Sequence, residues 1–281
     1  MNEQQTLRTS VGTIDLTNPV VMGILNVTPD SFYDGGRYMD EAGWLERTGR
    51  MLEEGATIID VGGASTRPGA DPLTAEEELD RLLPVIEKIS RRFPGAILSI
   101  DTYQSRVARA CIAAGGHMIN DISGGRFDRD MLPLVAELGV PYIMMHILGT
   151  PRDMQKDPQY KDVVAEVKAF FEDQLNKLRS LNVTDNVVID PGFGFGKTPE
   201  HNFRLLRELG AFSSLNCPIM AGVSRKSMIN RILGCRPEDA LNGTTVANTI
   251  ALLNGADILR VHDVKEAAEA VKLVQYMKTI T

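Results

Sequence analysis

The stretch Val20-Val21-Met22-Gly23-Ile24-Leu25-Asn26 is a run of apolar residues and glycine that ends in a carboxamide. Such a run is typical of a buried parallel strand, and its polar last residue marks where the strand leaves the core. Similar runs recur along the 281-residue chain, at residues 57–60, 97–101, 118–121, 141–146, 187–190, 218–224 and 258–262. Segments with helical spacing separate them. This alternation predicts an α/β fold, a closed (β/α)8 TIM barrel whose active site lies at the C-terminal ends of the strands.

The length and composition fit one barrel domain that spans residues 1–281. Residues 6–17 alternate weakly around Gly12, which predicts a β-hairpin, and we expect residues 1–18 to cap the bottom of the barrel. Apolar residues make up 43% of the chain and aromatic residues only 6%, so we expect a mostly aliphatic core.

The charge and the cysteine content argue against a nucleic-acid-binding, membrane-bound or disulfide-linked protein. The net charge is −7, and no basic segment is large enough to bind nucleic acid or an anionic membrane. No apolar run approaches the roughly 20 residues of a membrane span, and the first residues show no apolar signal segment. Cys111, Cys217 and Cys235 are far apart and odd in number, which favours reduced thiols. We therefore expect a cytoplasmic protein that binds neither nucleic acid nor membranes.

Three carboxylates and one carboxamide lie at the ends of predicted strands: Asp60, Asp101, Asp190 and Asn120. Each residue alone is also typical of a helix cap or a turn. Four of them on one rim favour a ligand that is rich in N–H groups, such as the edge of an amino-pyrimidinone.

Basic residues gather at the same strand ends in this acidic chain: Arg67, Arg225, Lys226, Arg260 and His262. Arg225 or Lys226 alone could simply begin a solvated helix. However, two cations at a helix N-terminus oppose the helix dipole, so we expect at least one of them to bind a ligand. The set predicts an anionic group on the rim.

The loops after the strands offer further candidates. Asn26 and Asp34 supply oxygen ligands that suit Mg²⁺, although Asp34 is also an ordinary turn former. Phe32, Pro68 and Phe195 lie in loops and could form a wall for an aromatic co-substrate, or could be unexceptional exposed residues. We interpret His146 as a structural histidine rather than a base.

Seven ordered motifs resemble the dihydropteroate synthase family of the folate pathway, and the resemblance runs from about Val20 to the C-terminus. The motifs are Gly23-Ile24-Leu25-Asn26-Val27-Thr28-Pro29-Asp30-Ser31-Phe32, Gly62-Gly63-Ala64-Ser65-Thr66-Arg67-Pro68-Gly69, Ser99-Ile100-Asp101-Thr102, Ile119-Asn120-Asp121-Ile122-Ser123-Gly124, Asp190-Pro191-Gly192-Phe193-Gly194-Phe195, Gly222-Val223-Ser224-Arg225-Lys226-Ser227 and Arg260-Val261-His262-Asp263-Val264.

The resemblance implies a reaction and a set of roles. The reaction joins 6-hydroxymethyl-7,8-dihydropterin diphosphate to 4-aminobenzoate and releases 7,8-dihydropteroate and diphosphate. The implied pterin-binding residues are Asp101, Asn120, Ile122, Met145, Asp190, Gly194, Phe195, Lys226 and Arg260. The implied aminobenzoate-binding residues are Phe32, Thr66, Arg67, Pro68, Phe195, Lys226 and Ser227. The diphosphate would contact Asn26, Thr66, Arg67, Arg260 and His262, and Mg²⁺ would bind Asn26 and Asp34. The implied catalytic residues are Asp101, Lys226, Arg260 and His262.

From this resemblance we expect an SN1-like displacement, a homodimer and sensitivity to sulfonamides, which mimic aminobenzoate. Other functions remain open on the sequence alone. A related pterin-binding barrel transfers a methyl group from methyltetrahydrofolate to a corrinoid protein. A Schiff-base aldolase using Lys226 and a barrel that only binds its ligand are further alternatives.

Overall fold

The computed structural model describes residues 6–27, 41–64 and 73–280, and its central feature is a ring of eight parallel strands. A hairpin of β1 (Thr6–Thr9) and β2 (Gly12–Asp15) precedes the ring. The strands of the ring are β3 (Val20–Asn26), β4 (Ile58–Gly62), β5 (Ile97–Asp101), β6 (Met118–Asp121), β7 (Tyr142–Met145), β8 (Val187–Asp190), β9 (Met220–Ala221) and β10 (Ile258–Val261).

The sheet order β8-β7-β6-β5-β4-β3-β10-β9 follows the chain around the ring. An isolated parallel bridge between Ile189 of β8 and Ile219, next to β9, joins the two ends of the sheet. The backbone N–H of Ile189 also donates to Pro218 O at 2.9 Å. The predicted TIM barrel and N-terminal hairpin are therefore confirmed.

Helices surround the ring and connect consecutive strands. They are α1 (Glu41–Glu53), α2 (Ala75–Arg92), α3 (Ser105–Ala113), α4 (Met131–Leu138), α5 (Val163–Ser180), α6 (Pro199–Arg207), α7 (Ser227–Leu233), α8 (Leu241–Leu253) and α9 (Val264–Thr279). The predicted capping box at Thr74 begins α2, where the Thr74 hydroxyl accepts from Glu77 N. Within the described ranges, no helix has both the length and the apolar character needed to cross a membrane.

Two strands differ from the sequence prediction by more than one residue at an end. The run 218–224 forms only a two-residue strand, Met220–Ala221, with an isolated bridge at Ile219, and the chain turns after it at Arg225, whose φ is 53°. The second strand was expected to end at Asp60, but β4 continues to Gly62. It continues because Val61 and Gly62 pair with β3 on one side and with β5 on the other. Asp60 therefore lies inside the barrel, below the rim.

The lower half of the barrel interior is apolar and is closed by the hairpin. Leu7, Ile14 and Leu16 pack against inward-facing side chains of the ring. Those side chains are Met22, Ile58, Met118, Ile143, Val188, Met220 and Ile258. Since side chains alternate along a strand, the residues two positions further on face the same interior nearer the rim. In the described part of the chain, the apolar cluster under the hairpin therefore separates the polar upper half from the bottom of the barrel.

We predict that Leu7→Ala destabilises the barrel without changing its upper half. Leu7 is fully buried at the bottom of the ring, so we expect a loss of about 2–5 kcal/mol in the free energy of unfolding, measured in urea. Val11→Ala in the same hairpin is the matched control, because Val11 is 48% exposed and should change stability by less than about 0.5 kcal/mol. Equal stability of the two variants would contradict the capping role.

Candidate active site

The upper half of the barrel interior is polar. In register across the sheet, Asn26 lies beside Gly62, Gly62 beside Asp101, and Asp101 beside Asn120. A Cβ atom on Gly62 would lie 3.4 Å from Asp101 Oδ2 and 3.7 Å from Asn26 Oδ1. The side chains of Asn26 and Asp101 thus face the same space, which the missing side chain of Gly62 leaves open.

Arg260 bridges two carboxylates in this polar half. Its Nε donates to Asp60 Oδ2 at 2.6 Å, and its Nη2 donates to Asp101 Oδ2 at 2.7 Å. Asn120 Nδ2 donates to the same Asp60 oxygen at 3.0 Å. Asp60 therefore orients both Arg260 and Asn120. Among the described residues nothing bonds Arg260 Nη1, which leaves one edge of the guanidinium for a ligand.

Burial and ion pairing have opposite effects on the pKa values of Asp101 and Arg260. Burial raises the pKa of Asp101 to about 7, although Arg260 acts to lower it and Asp60 raises it further. Burial disfavours the charged form of Arg260, but Asp60 and Asp101 more than offset that effect and raise its pKa. Removing one partner of such a buried pair leaves an uncompensated charge and costs about 3–5 kcal/mol.

Asp190 lies at the end of β8 and is buried on the opposite side of the ring. Its Oδ1 accepts from Gly192 N at 2.8 Å. No described residue donates to Oδ2, so that oxygen can accept from a ligand. Burial raises the pKa of Asp190, while Lys226 acts in the opposite direction and favours the carboxylate.

Lys226 precedes α7 and extends over the aromatic ring of Phe195. Its Nζ lies 4.7 Å from the centre of that ring and donates to Phe193 O at 2.5 Å. Gly222 and Gly194 border the lysine side chain, since a Cβ on either would lie within 3.7 Å of it. Burial lowers the pKa of Lys226 to about 8, with Asp190 acting to raise it.

An apolar wall completes the pocket on the β6–β8 side. Ile122, Met145 and half-buried Phe195 pack in one cluster with Ile147 and Met154. The first three were all predicted to surround the pterin ring, and the structure brings them together. A flat heterocycle could therefore have an apolar face covered while its polar edge meets Asn120 and Asp190.

His262 and Ser227 lie on the rim. His262 N donates to Ser224 Oγ at 3.2 Å, and its carbonyl accepts from Arg47 Nη2 at 2.6 Å. Burial, and then the nearby Arg260, lower the pKa of His262 to about 4, so its ring is neutral at pH 7. Ser227 is exposed at the first position of α7.

Five predicted residues lie outside the described residues: Phe32, Asp34, Thr66, Arg67 and Pro68. Their proposed contacts with aminobenzoate, diphosphate and Mg²⁺ stay predictions.

Arg225 differs from the other predicted rim cations. Its Nε and Nη2 donate to Asp263 at 2.8 Å each, and its Nη1 donates to Pro237 O at 2.8 Å and to Glu238 O at 2.6 Å. These bonds join the loop after β9 to the loop after β10 and to the approach to α8. The Arg225 guanidinium is therefore held by a carboxylate and two carbonyls, and of the pair Arg225 and Lys226 it is Lys226 that borders the pocket.

Two buried polar residues have roles that the sequence did not indicate. Asp60 was expected to be a ligand acceptor on the rim, but it lies below the rim, where its Oδ2 accepts from Arg260 Nε and Asn120 Nδ2. This link needs the barrel to be closed. Lys197 was given no role from the sequence. Its Nζ lies 3.0 Å from Nδ1 of His146, which agrees with a structural role for that histidine. The available signal was a lysine directly after the glycine-rich stretch that follows an apolar strand.

The pocket can recognise a polar heterocycle and an anion together. Free acceptor positions on Asp190 and Asp101 suit N–H groups, and Arg260 and Lys226 suit a negative group at the mouth. The described residues include no serine or cysteine nucleophile with an adjacent base at this site. The arrangement favours chemistry by orientation and charge stabilisation rather than by a covalent enzyme intermediate.

Comparison with known proteins agrees with this geometry. The model of a family described as pterin binding enzymes matches residues 22–262. The dihydropteroate synthase of Escherichia coli K12 is 45% identical over 263 residues, which covers 93% of each chain. A Yersinia pestis dihydropteroate synthase solved with a sulfonamide drug superposes with a TM-score of 0.93 at 41% identity, covering 98% of this chain and 99% of that one. A Xanthomonas albilineans dihydropteroate synthase with 4-aminobenzoic acid gives 0.92 at 40% identity, covering 99% and 100%. The chain therefore belongs to the dihydropteroate synthase family of pterin-binding enzymes.

Proposed function

We propose that the protein joins 6-hydroxymethyl-7,8-dihydropterin diphosphate to 4-aminobenzoate, with release of diphosphate. One observation carries the proposal: the polar strand-end side chains and Arg260 form a single hydrogen-bonded pocket above an otherwise apolar barrel. The acceptors Asp101, Asn120 and Asp190 suit the amino-pyrimidinone edge of a pterin. Arg260 and Lys226 suit the anionic parts of the two substrates.

The reaction would proceed by charge separation. The bond between the pterin methylene carbon and the diphosphate oxygen breaks, and the electron pair leaves with the diphosphate. The pterin-stabilised cation that remains lies within reach of the Asp101 carboxylate, which lowers its energy. The aniline nitrogen of aminobenzoate then forms the new C–N bond and loses a proton to solvent or diphosphate. Because His262 is neutral before substrate binds, it would donate a hydrogen bond to the diphosphate rather than supply a full charge.

Mg²⁺ fits the donor chemistry at the mouth of the pocket. The carboxamide of Asn26 faces the open space next to Gly62, and amide and carboxylate oxygens are ligands that Mg²⁺ accepts. We propose that Asn26 and Asp34 hold the ion together with diphosphate oxygens. When bound, Mg²⁺ would neutralise charge on the leaving group.

The aminobenzoate site is proposed at the rim, where Phe195, Lys226 and Ser227 lie near one another. Phe195 offers a ring face, and Lys226 offers a cation for the carboxylate. The Yersinia pestis relative was solved with a sulfonamide and the Xanthomonas albilineans relative with 4-aminobenzoic acid. We propose that both kinds of molecule occupy this position here and that sulfonamides inhibit the protein.

A homodimer is proposed from an exposed apolar surface on the last helices, here called the α8–α9 face. On α9, Leu273, Tyr276 and Met277 are each at least half exposed and recur at helical spacing, and Ile280, which directly follows the helix, is also exposed. On α8, Val246 and Leu253 are also about half exposed. A contiguous apolar surface of this kind favours an interface, and we propose a second copy of the chain as its partner.

A cytoplasmic location is proposed from the cysteines. Cys111, Cys217 and Cys235 are all free, and the first two are buried. Burial raises the pKa of Cys217 to about 11, so its thiol is unreactive. This use of cysteine fits a reducing compartment.

The first prediction on function concerns Asp190. Protein mixed with the pterin diphosphate, Mg²⁺ and 4-aminobenzoate should release diphosphate and form dihydropteroate. Asp190→Asn should lower kcat/KM about 100-fold, because it removes a charged acceptor from the pterin edge. Asp185→Asn is the matched control, since Asp185 lies at the barrel bottom, paired with Arg8 of the hairpin. Tight pterin binding without diphosphate release would instead favour the methyl-transfer or binding-only functions.

The second prediction concerns pH. Asp101 must be ionised and Lys226 protonated, so kcat/KM should rise as pH increases through about 7 and fall as it increases through about 8. The profile should be bell-shaped with its maximum between these values. Lys226→Arg should keep the acid limb and lose the alkaline limb, since a guanidinium stays charged. A flat wild-type profile from about pH 6 to about pH 9 would contradict these assignments.

The third prediction concerns the oligomeric state. Leu273→Glu places a charge in the centre of the α8–α9 face and should convert a dimer into a monomer in sedimentation velocity. Lys272→Glu, at the neighbouring exposed position of α9, is the control and should remain dimeric. A wild-type monomer at micromolar concentration would overturn the proposed interface.

A further inference from the structure

Lys197 belongs to the β8–α6 loop (residues 191–198), and its side chain is buried. Its exposure is 3%, and its Nζ donates to Gly192 O and to Phe195 O at 3.0 Å each. Nδ1 of His146, just after β7, lies 3.0 Å from the same nitrogen. The two carbonyls stand at the beginning and near the end of the turn that carries the Phe195 ring. Lys197 therefore joins both ends of this turn to the end of β7.

The other carbonyl groups from residue 193 to residue 197 also accept hydrogen bonds from side chains. The donors are Lys226 to Phe193 O, Gln155 to Gly194 O, Tyr160 to Gly196 O and Asn202 to Lys197 O. Together with Gly192 O and Phe195 O, these groups make six consecutive carbonyls, from residue 192 to residue 197. Each of the four donors bonds one of the six, whereas Lys197 bonds two. A glycine-rich loop loses much conformational entropy when it is ordered. The side-chain donors offset that cost and hold one conformation.

This loop carries groups that face the pocket. Gly192 N donates to Asp190 Oδ1, and Phe193 O accepts from Lys226. A Cβ on Gly192 would lie 1.9 Å from His146 O, so the loop is packed directly against the chain after β7. A shift of the turn would therefore move three groups at once. They are the N–H of Gly192 that bonds Asp190, the carbonyl of Phe193 that bonds Lys226, and the ring of Phe195.

We propose that Lys197 is a positioning residue for the condensation, which holds the β8–α6 loop so that Asp190, Phe195 and Lys226 meet the substrates in one geometry. The inference rests on the proposed function. It assigns a role to a side chain that does not itself face the pocket. A displacement of about 1 Å at groups that orient a substrate lowers the rate by about 100-fold.

The test compares Lys197→Met with Lys197→Gln. Methionine matches the four-atom apolar stem of lysine but lacks the terminal nitrogen and donates no hydrogen bond, so kcat/KM should fall about 100-fold. The dissociation constant of 6-hydroxymethylpterin, measured by calorimetry, should rise about tenfold because the geometry around Asp190 is loosened. Glutamine carries an N–H₂ group, one atom nearer the backbone than the lysine nitrogen, that can donate to one of the two carbonyls, so we expect part of both losses to be recovered.

Asn186→Gly is the matched control for stability. Asn186 makes three hydrogen bonds at the barrel bottom, to Arg8 N, Arg8 O and Gly139 O, and glycine tolerates its φ of 62°. This variant should lower Tm while kcat/KM and pterin affinity stay at wild-type values. Wild-type kinetics in Lys197→Met, or equal kinetic losses in Asn186→Gly, would overturn the proposal.

Two further outcomes are also decisive. If neither Lys197 variant folds, the proposal is overturned, because the lysine would then serve the fold itself. If the wild-type protein neither binds the pterin nor releases diphosphate, the proposed function fails before the role of Lys197 is reached. The wild-type measurement thus separates failure of the function from failure of the inference.

Discussion

The site depends on one partly buried guanidinium. Arg260 bonds Asp60 below the rim and Asp101 at the rim, and Asp60 in turn holds Asn120. A charge inside a barrel is costly unless it is paired, and here the pairing fixes side chains from β4, β5, β6 and β10 relative to one another. The hydrogen bonds that offset the cost of burying the Arg260 charge also fix the positions of Asp60, Asp101 and Asn120. Asp60 Oδ1 is buried with no hydrogen bond from the described residues, which fits a network built for orientation more than for stability.

This network is possible because the barrel interior is divided by depth. The hairpin residues Leu7 and Ile14 pack into an apolar lower half, which separates the charges from the bottom of the barrel. Two residues further along the strands the interior becomes polar. Low polarity beneath the site strengthens each electrostatic interaction above it. Burial accordingly raises the pKa of Asp101 and lowers the pKa of Lys226, so that both pKa values lie close to neutral pH.

The sequence predicted the ring of strands because apolar runs and polar ends are local features. It also predicted that Asp101, Asn120 and Asp190 would share a rim, since parallel strands end on one face. It could not predict which cation meets which carboxylate. Arg225 and Arg260 look alike in sequence, yet Arg225 bonds Asp263 and Arg260 bonds Asp60 and Asp101. The depth of Asp60 was also missed, because pairing with both neighbouring strands extends β4 to Gly62.

The β8–α6 loop shows why local sequence cannot reveal rigidity. Its glycines permit many conformations, and by composition alone the segment would be flexible. Yet donors from Gln155, Tyr160, Asn202 and Lys226, which are remote in sequence or on other elements, bond its carbonyls. The glycines are needed for close approach, as the contact between Gly192 and His146 O shows. Because glycine has no side chain, neighbouring groups can approach the loop backbone closely and bond its carbonyls. The segment that is most flexible by composition therefore has one conformation fixed by hydrogen bonds from other parts of the chain.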